Sequence, residues 1–170
     1  LKDKYGLNYG NKKITVSTSG IANKIKEAAD EIGTYLALSL HAPNDELREK
    51  IMPINRKFKI NELVKQLKYY TSVVKEPIFL EYVMLKGIND TEECAKQLVK
   101  LMSKFPSKVN LIEFNSWPGV KFQPTERQEI EKFSKFIKDK GYMSFIRRSR
   151  GDDVLAACGQ LRTESEKKNI

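Results

Sequence analysis

Histidine, cysteine and tryptophan are scarce in this chain: one, two and one among 170 residues. Two cysteines, Cys94 and Cys158, are too few for a disulfide framework of the kind that staples small secreted domains. With His41 as the single histidine and no CxxC or HxH spacing, the chain alone offers no ligand set for a zinc ion or an iron–sulfur cluster. No apolar run approaches the ~18 residues of a membrane-spanning helix. The opening stretch LKDKYGLNYGNKK is polar and basic and lacks the apolar segment of a signal peptide. A reducing, cytoplasmic setting with no membrane contact is the expectation. The chain begins with Leu rather than Met, as a fragment or an excised piece would.

What is present is cationic and foldable. Hydrophobic residues make up 40% of the chain, spread along its length, which is not a disordered composition. Lys and Arg number 31 against 22 Asp and Glu, a net charge of +9. A surplus of this size on a small domain points to a polyanion, nucleic acid first. A well-solvated, lysine-rich surface is the bland reading of the same number.

Short β-type runs alternate with helical patterns. Residues 14–19 (ITVSTS), 35–40 (YLALSL), 77–85 (PIFLEYVML), 109–114 (VNLIEF) and 143–146 read as strands. Between them, apolar residues recur at helical spacing: Ile21, Ile25, Ala28, Ala29 and Ile32; then Leu63, Leu67 and Tyr70; then Cys94, Leu98, Leu101, Met102 and Phe105; then Ile130, Phe133, Phe136 and Ile137. Asp90 with Glu93, and Thr125 with Gln128, resemble capping boxes. Trp117-Pro118-Gly119 reads as a turn, and residues 162–170 as a polar tail. The β-α-β alternation predicts an α/β fold: a parallel sheet with helical crossovers.

In parallel α/β folds chemistry gathers at the C-terminal ends of the strands. Those ends carry Ser17-Thr18-Ser19-Gly20, Ser39-Leu40-His41-Ala42-Pro43-Asn44, Lys86-Gly87-Ile88-Asn89 and Asn115-Ser116-Trp117. Any one of them could simply make a turn; all four together suggest a shared site for a polar ligand. Cys94 lies on an apolar helix face and reads as packing. Cys158 differs: Ala156, Ala157 and Gly159 leave room around its sulfur, and Arg147, Arg148 and Arg150 favour a thiolate or a nearby phosphate. Asp152 and Asp153 read as partners for those arginines or as a cap.

The words VSTSG (16–20), SLHAPNDELREKIMPIN (39–55), EYVMLKGIND (81–90), NLIEFN (110–115) and RGDDVLAACGQL (150–161), in this order, closely resemble the radical SAM RNA adenine-C2 methyltransferases of the RlmN type. The resemblance runs from about Lys13 to Leu161. It implies a partial (β/α)6 barrel of which this chain is the second half, with residues 1–161 as that half-barrel plus the cysteine-bearing segment. The family's CxxxCxxC loop, its Gly-Glu-Pro-type SAM-binding motif, its general-base glutamate and its resolving cysteine are absent, and Cys94 does not match that last context. The resemblance places S-adenosyl-L-methionine (SAM) contacts on Ser17, Ser39, Leu40, His41 and Asn115, and the methyl-carrying role on Cys158. It implies a [4Fe-4S] cluster with ligands upstream of this chain. It also implies that the cysteine takes a methyl from one SAM, that a radical from a second SAM activates this methyl for addition to adenine, and that a transient disulfide releases the product.

As expectations, then, the chain belongs to an enzyme that methylates position 2 of adenine in 23S rRNA and in tRNA. Arg147, Arg148 and Arg150 hold RNA phosphates, a protein such as flavodoxin supplies electrons, and a separate N-terminal half is a potential partner. Methylation at position 8, as in the related Cfr enzymes, and a non-catalytic basic RNA-binding module remain the alternatives. An open half-barrel would also leave a strand edge and part of its inner face uncovered, so self-association or loose folding of the isolated chain is expected.

Overall fold

Strict alternation in one strand shows how the molecule is layered. In the structure, a computed structural model that describes residues 4–116 and 119–147, β3 (Ile78–Met84) buries Ile78, Leu80, Tyr82 and Met84 completely. The intervening Phe79, Glu81 and Val83 are only half-buried. Successive side chains of a strand point to opposite faces, so one face of this sheet is covered and the other open. Parallel sheets are ordinarily covered on both faces.

The sheet has five parallel strands: β1 (Thr15–Thr18), β2 (Tyr35–Ser39), β3, β4 (Ser107–Glu113) and β5 (Ser144–Arg147), in the order β1-β2-β3-β4-β5. Sequential order with crossovers of one hand puts every connecting helix on the same side. The α/β expectation holds, and the order is that of a barrel segment rather than of a doubly wound sheet. β1 and β5 each pair on one side only among the described residues.

The helices are α1 (Ala22–Glu31), α2 (Asp45–Ile51), α3 (Ile60–Val74), α4 (Glu92–Met102) and α5 (Arg127–Asp139). Their apolar stripes make one core with the covered face. Ile25 and Ala29 of α1, Leu63 and Leu67 of α3, Leu98 and Met102 of α4, and Ile130, Phe133 and Ile137 of α5 join Leu36, Leu38, Leu80, Val109 and Leu111 from the strands. α3 stops where Lys75 adopts a left-handed conformation (φ 61°).

Two local expectations are corrected. Thr91, not Asp90, caps α4, its Oγ1 accepting the Cys94 N–H at 3.2 Å. Asp90 instead ties the preceding loop, accepting from the Gly87 N–H (2.9 Å) and from the Thr125 hydroxyl (2.9 Å). That engagement takes Thr125 out of the second capping box, and α5 starts one residue later behind Glu126 with no side-chain cap. The region before α3 holds a separate helix, α2, and a 3-10 turn at Pro53–Arg56. Seven residues are too few to display a helical stripe in sequence.

Candidate functional site

The open face is organised in rows, because Cα partners on neighbouring strands present their side chains on the same side. One row runs Ser17, Ala37, Phe79, Lys108. The next runs Ser39, Glu81, Asn110, Phe145. A third, nearest the C-terminal rim, runs Val83, Ile112, Arg147. The lower row is partly apolar, with Tyr35 edge-on to Phe79 (5.7 Å between ring centres) and Lys108 over the Phe79 ring (5.7 Å). The middle row is polar. Asn110 Nδ2 donates to Glu81 Oε1 at 2.7 Å, while Glu81 Oε2 is buried without a hydrogen-bond partner among the described residues. Arg147 Nη1 stands 3.8 Å from that oxygen, an ion-pair distance but beyond a hydrogen bond.

The rim is held by one side chain that sequence reasoning did not single out. Arg48, on α2, is fully buried. Its Nε donates to the Leu40 carbonyl (3.2 Å), its Nη1 to Asn55 Oδ1 (3.0 Å), and its Nη2 to the carbonyls of Ser19 (2.7 Å) and Ser39 (3.3 Å). The guanidinium therefore staples the ends of β1 and β2 together. Asn55 passes the network to Asp45, whose Oδ1 also accepts from the Ile60 N–H. Buried cations persist when hydrogen-bonded in this way. Gly20 makes the approach possible: its φ is +100°, and a Cβ there would lie 2.8 Å from Arg48 Nη2.

His41 follows directly and takes a left-handed conformation (φ 57°). Its Nδ1 accepts the Val83 N–H at 3.1 Å, so the ring substitutes for a strand partner where β2 ends. This assigns the neutral tautomer with hydrogen on Nε2. Burial, reinforced by the Arg48 charge, lowers its pKa to about 4. Asn89 is structural: it donates to the carbonyls of His41 (2.8 Å) and Val83 (2.6 Å) and accepts the Leu85 N–H (2.8 Å). Asn44 likewise caps α2, accepting the Leu47 N–H.

Of the residues expected to hold a ligand, Ser17 and Ser39 face the open side, and neither hydroxyl has a hydrogen-bond partner among the described residues. His41 stands above them at the rim. Leu40 points into the core (1% exposed), with its N–H donated to the Glu81 carbonyl and its own carbonyl accepting from Arg48. Asn115 is half-buried two residues past β4. Arg147 is on the open face at the end of β5. Arg148, Arg150, Cys158 and the tail lie outside the described residues, as do Trp117 and Pro118. Glu81, Asn110 and Arg48 were missed. The first two were detectable as polar residues inside the apolar runs IFLEYVM and VNLI.

Comparison with known proteins decides the family. The chain is 47% identical over 169 residues to a dual-specificity RNA methyltransferase RlmN of Gluconobacter oxydans, covering 99% of this chain and 42% of that one. It is 50% identical over 163 residues to the same-named protein of Brucella anthropi, covering 95% and 40%. The chain matches the C-terminal part of RlmN. No family model matches the sequence. The solved structure of a radical SAM methyltransferase from Sphaerobacter thermophilus superposes with a TM-score of 0.89 at 38% identity, over 94% of this chain and 47% of that chain. This RlmN-like chain thus spans about two fifths of the length of the curated relatives it matches.

The family's two cofactors fit these residues differently. No group of three or more His, Cys, Asp or Glu among the described residues could hold a metal ion, and the thiol among them, Cys94, is buried. They do not fit an iron–sulfur cluster. The open face does suit SAM, which presents ribose hydroxyls, an ammonium and an adenine amino group. Serine hydroxyls and a buried acceptor that have no hydrogen-bond partner among the described residues are the complement such a ligand needs.

Proposed function

We propose that this chain forms the later part of a dual-specificity RNA methyltransferase site acting on position 2 of adenine in 23S rRNA and tRNA. The observation that carries the reading is the collinear match to RlmN, on which Ser17, Ser39, His41 and Asn115 fall at the ends of strands of one sheet. Residues 1–161 form one working unit and 162–170 its tail, and the protein acts in the cytoplasm. Its cluster ligands lie in a portion upstream of these residues, and a flavodoxin-like protein supplies electrons.

When bound, SAM supplies a methyl group on a sulfonium sulfur. Ser17 and Ser39 would hydrogen-bond it from the open face, His41 would offer its Nε2–H at the rim, and Asn115 would hold it from the end of β4. Leu40 takes part through its backbone, whose position Arg48 fixes. Cys158 would be the nucleophile towards that methyl, since a thiolate suits a sulfonium carbon and the neighbours in sequence, Ala156, Ala157 and Gly159, are small. Arg147, Arg148 and Arg150 bind phosphates, orienting the RNA without reading its sequence.

The test is to co-express the chain with the cluster-bearing portion of an RlmN in cells lacking their own enzyme. Nucleosides from 23S rRNA and tRNA are then measured by mass spectrometry. The wild-type chain yields 2-methyladenosine, and Cys158→Ala yields none. Undiminished 2-methyladenosine from Cys158→Ala would sink the cysteine's role. 8-Methyladenosine alone would replace the reading with the Cfr-type reaction. No methylation from the wild-type pair would leave a binding module.

A further inference from the structure

We infer that Glu81 is a positioning residue for SAM, its Oε2 accepting a hydrogen bond from an O–H or N–H donor of the bound cofactor. This deepens the reading of the open face as a SAM site and rests on it. Glu81 is the one acidic residue among the side chains of the three open-face rows. It occupies a strand centre whose alternate positions are Ile78, Leu80, Tyr82 and Met84, so burial of the opposite face fixes where its side chain points. Asn110 holds Oε1 at 2.7 Å and sets the plane of the carboxylate. Oε2 is then left buried with no donor among the described residues, a condition that protein interiors rarely tolerate. Arg147 does not fill the gap: it stands at 3.8 Å and its own side chain is 63% exposed, so water screens the pair. Ser39 is the direct Cα partner of Glu81, which puts the unfilled acceptor beside a proposed SAM contact. A carboxylate is acceptor-only, and SAM offers donors at the ribose, the ammonium and the adenine amino group.

The experiment is an NMR titration of the isotope-labelled chain with SAM, with adenosine and methionine as partial probes. Addition of SAM should shift the Asn110 side-chain amide resonances, which report on the carboxylate directly. Glu81→Gln keeps the shape and the Asn110 bond but replaces the charged acceptor, and it should weaken SAM about tenfold. Asn110→Ala frees the carboxylate to rotate and should weaken SAM by a few-fold. A purely structural Glu81 would change the melting temperature of these variants and leave SAM affinity unmoved. Equal loss for SAM and adenosine places the donor on the nucleoside; loss for SAM with adenosine unaffected places it on the methionyl ammonium. If Ser17→Ala and Ser39→Ala weaken SAM while Glu81→Gln binds like wild type, the inference fails and the site reading stands. If the wild-type chain shows no SAM-dependent shifts at the open face, both fall.

Discussion

The two faces of β3 differ in what holds them. On the helix side, Ile78, Leu80, Tyr82 and Met84 have no exposed surface and belong to one core with residues of α1, α3, α4 and α5. On the open side, Phe79, Glu81 and Val83 are half-covered, and their partners on the neighbouring strands mix polar Ser39, Lys108 and Asn110 with apolar Ala37 and Ile112. The first face is specified by packing, where a lost methylene is felt. The second is specified by hydrogen bonds and leaves acceptors unfilled. Packing dominates one surface, the other is the one proposed to take a ligand, and the rim between them is held by Arg48.

The rim is therefore where the comparison breaks most severely. Arg48→Ala would leave the carbonyls of Ser19, Ser39 and Leu40 and the Asn55 side chain without their donor. The expected cost is about 4 kcal/mol in urea unfolding. A loss below about 1 kcal/mol would show that water replaces the guanidinium and that the staple is not structural.

Next in size is a pair of truncations on the same strand. Leu80→Ala should cost about 3 kcal/mol, because the covered face cannot collapse around the void. Val83→Ala, on the open face, should cost about 1 kcal/mol or less. Equal losses would mean that the open face is packed as tightly as the other, against the layering seen here.

The third prediction concerns acid. His41 has a folded pKa of about 4, below its ordinary 6.5, because burial and then Arg48 disfavour the charged ring. The folded state resists protonation that the unfolded chain accepts. Stability is thus full above pH 6.5 and falls as the pH drops towards 4, by at most about 3 kcal/mol. Protonation would also turn Nδ1 into a donor facing the Val83 N–H, breaking that bond. His41→Gln should flatten the unfolding free energy across this window. A slope that survives the substitution would move the acid sensitivity to the carboxylates.

Much of this arrangement is legible in the sequence. The helical stripe of Leu63, Leu67 and Tyr70 and the alternation of PIFLEYVML set the covered face, because burial writes a period of 3.6 or 2 into the chain. Strand ends could be located, which put Ser17, Ser39 and His41 near the C-terminal ends of β1 and β2, where the fold has them. Arg48 could not be: its oxygen acceptors are the Asn55 amide oxygen and three backbone carbonyls, with no acidic partner to give it away, and on a seven-residue helix it reads as a surface charge. Asn89 misled in the opposite sense, since a polar residue past a strand looks the same whether it awaits a ligand or closes a loop on Tyr82, whose hydroxyl donates to its carbonyl. The capping boxes failed because Thr125 bonds across 35 residues to Asp90, a contact that no local pattern encodes.

The smallest expected effect sharpens the comparison best. Ser17 is exposed on the open side of an edge strand, and its hydroxyl has no partner among the described residues. Ser17→Ala should change stability by less than about 0.5 kcal/mol, since nothing in the fold leans on the hydroxyl. SAM affinity should nevertheless fall several-fold in the NMR titration, by the worth of one neutral hydrogen bond. A residue silent in unfolding and audible in binding is what a ligand-facing surface predicts. The reverse result, a stability loss with SAM affinity intact, would make Ser17 part of the scaffold and shift the ligand towards the strands at the centre of the sheet.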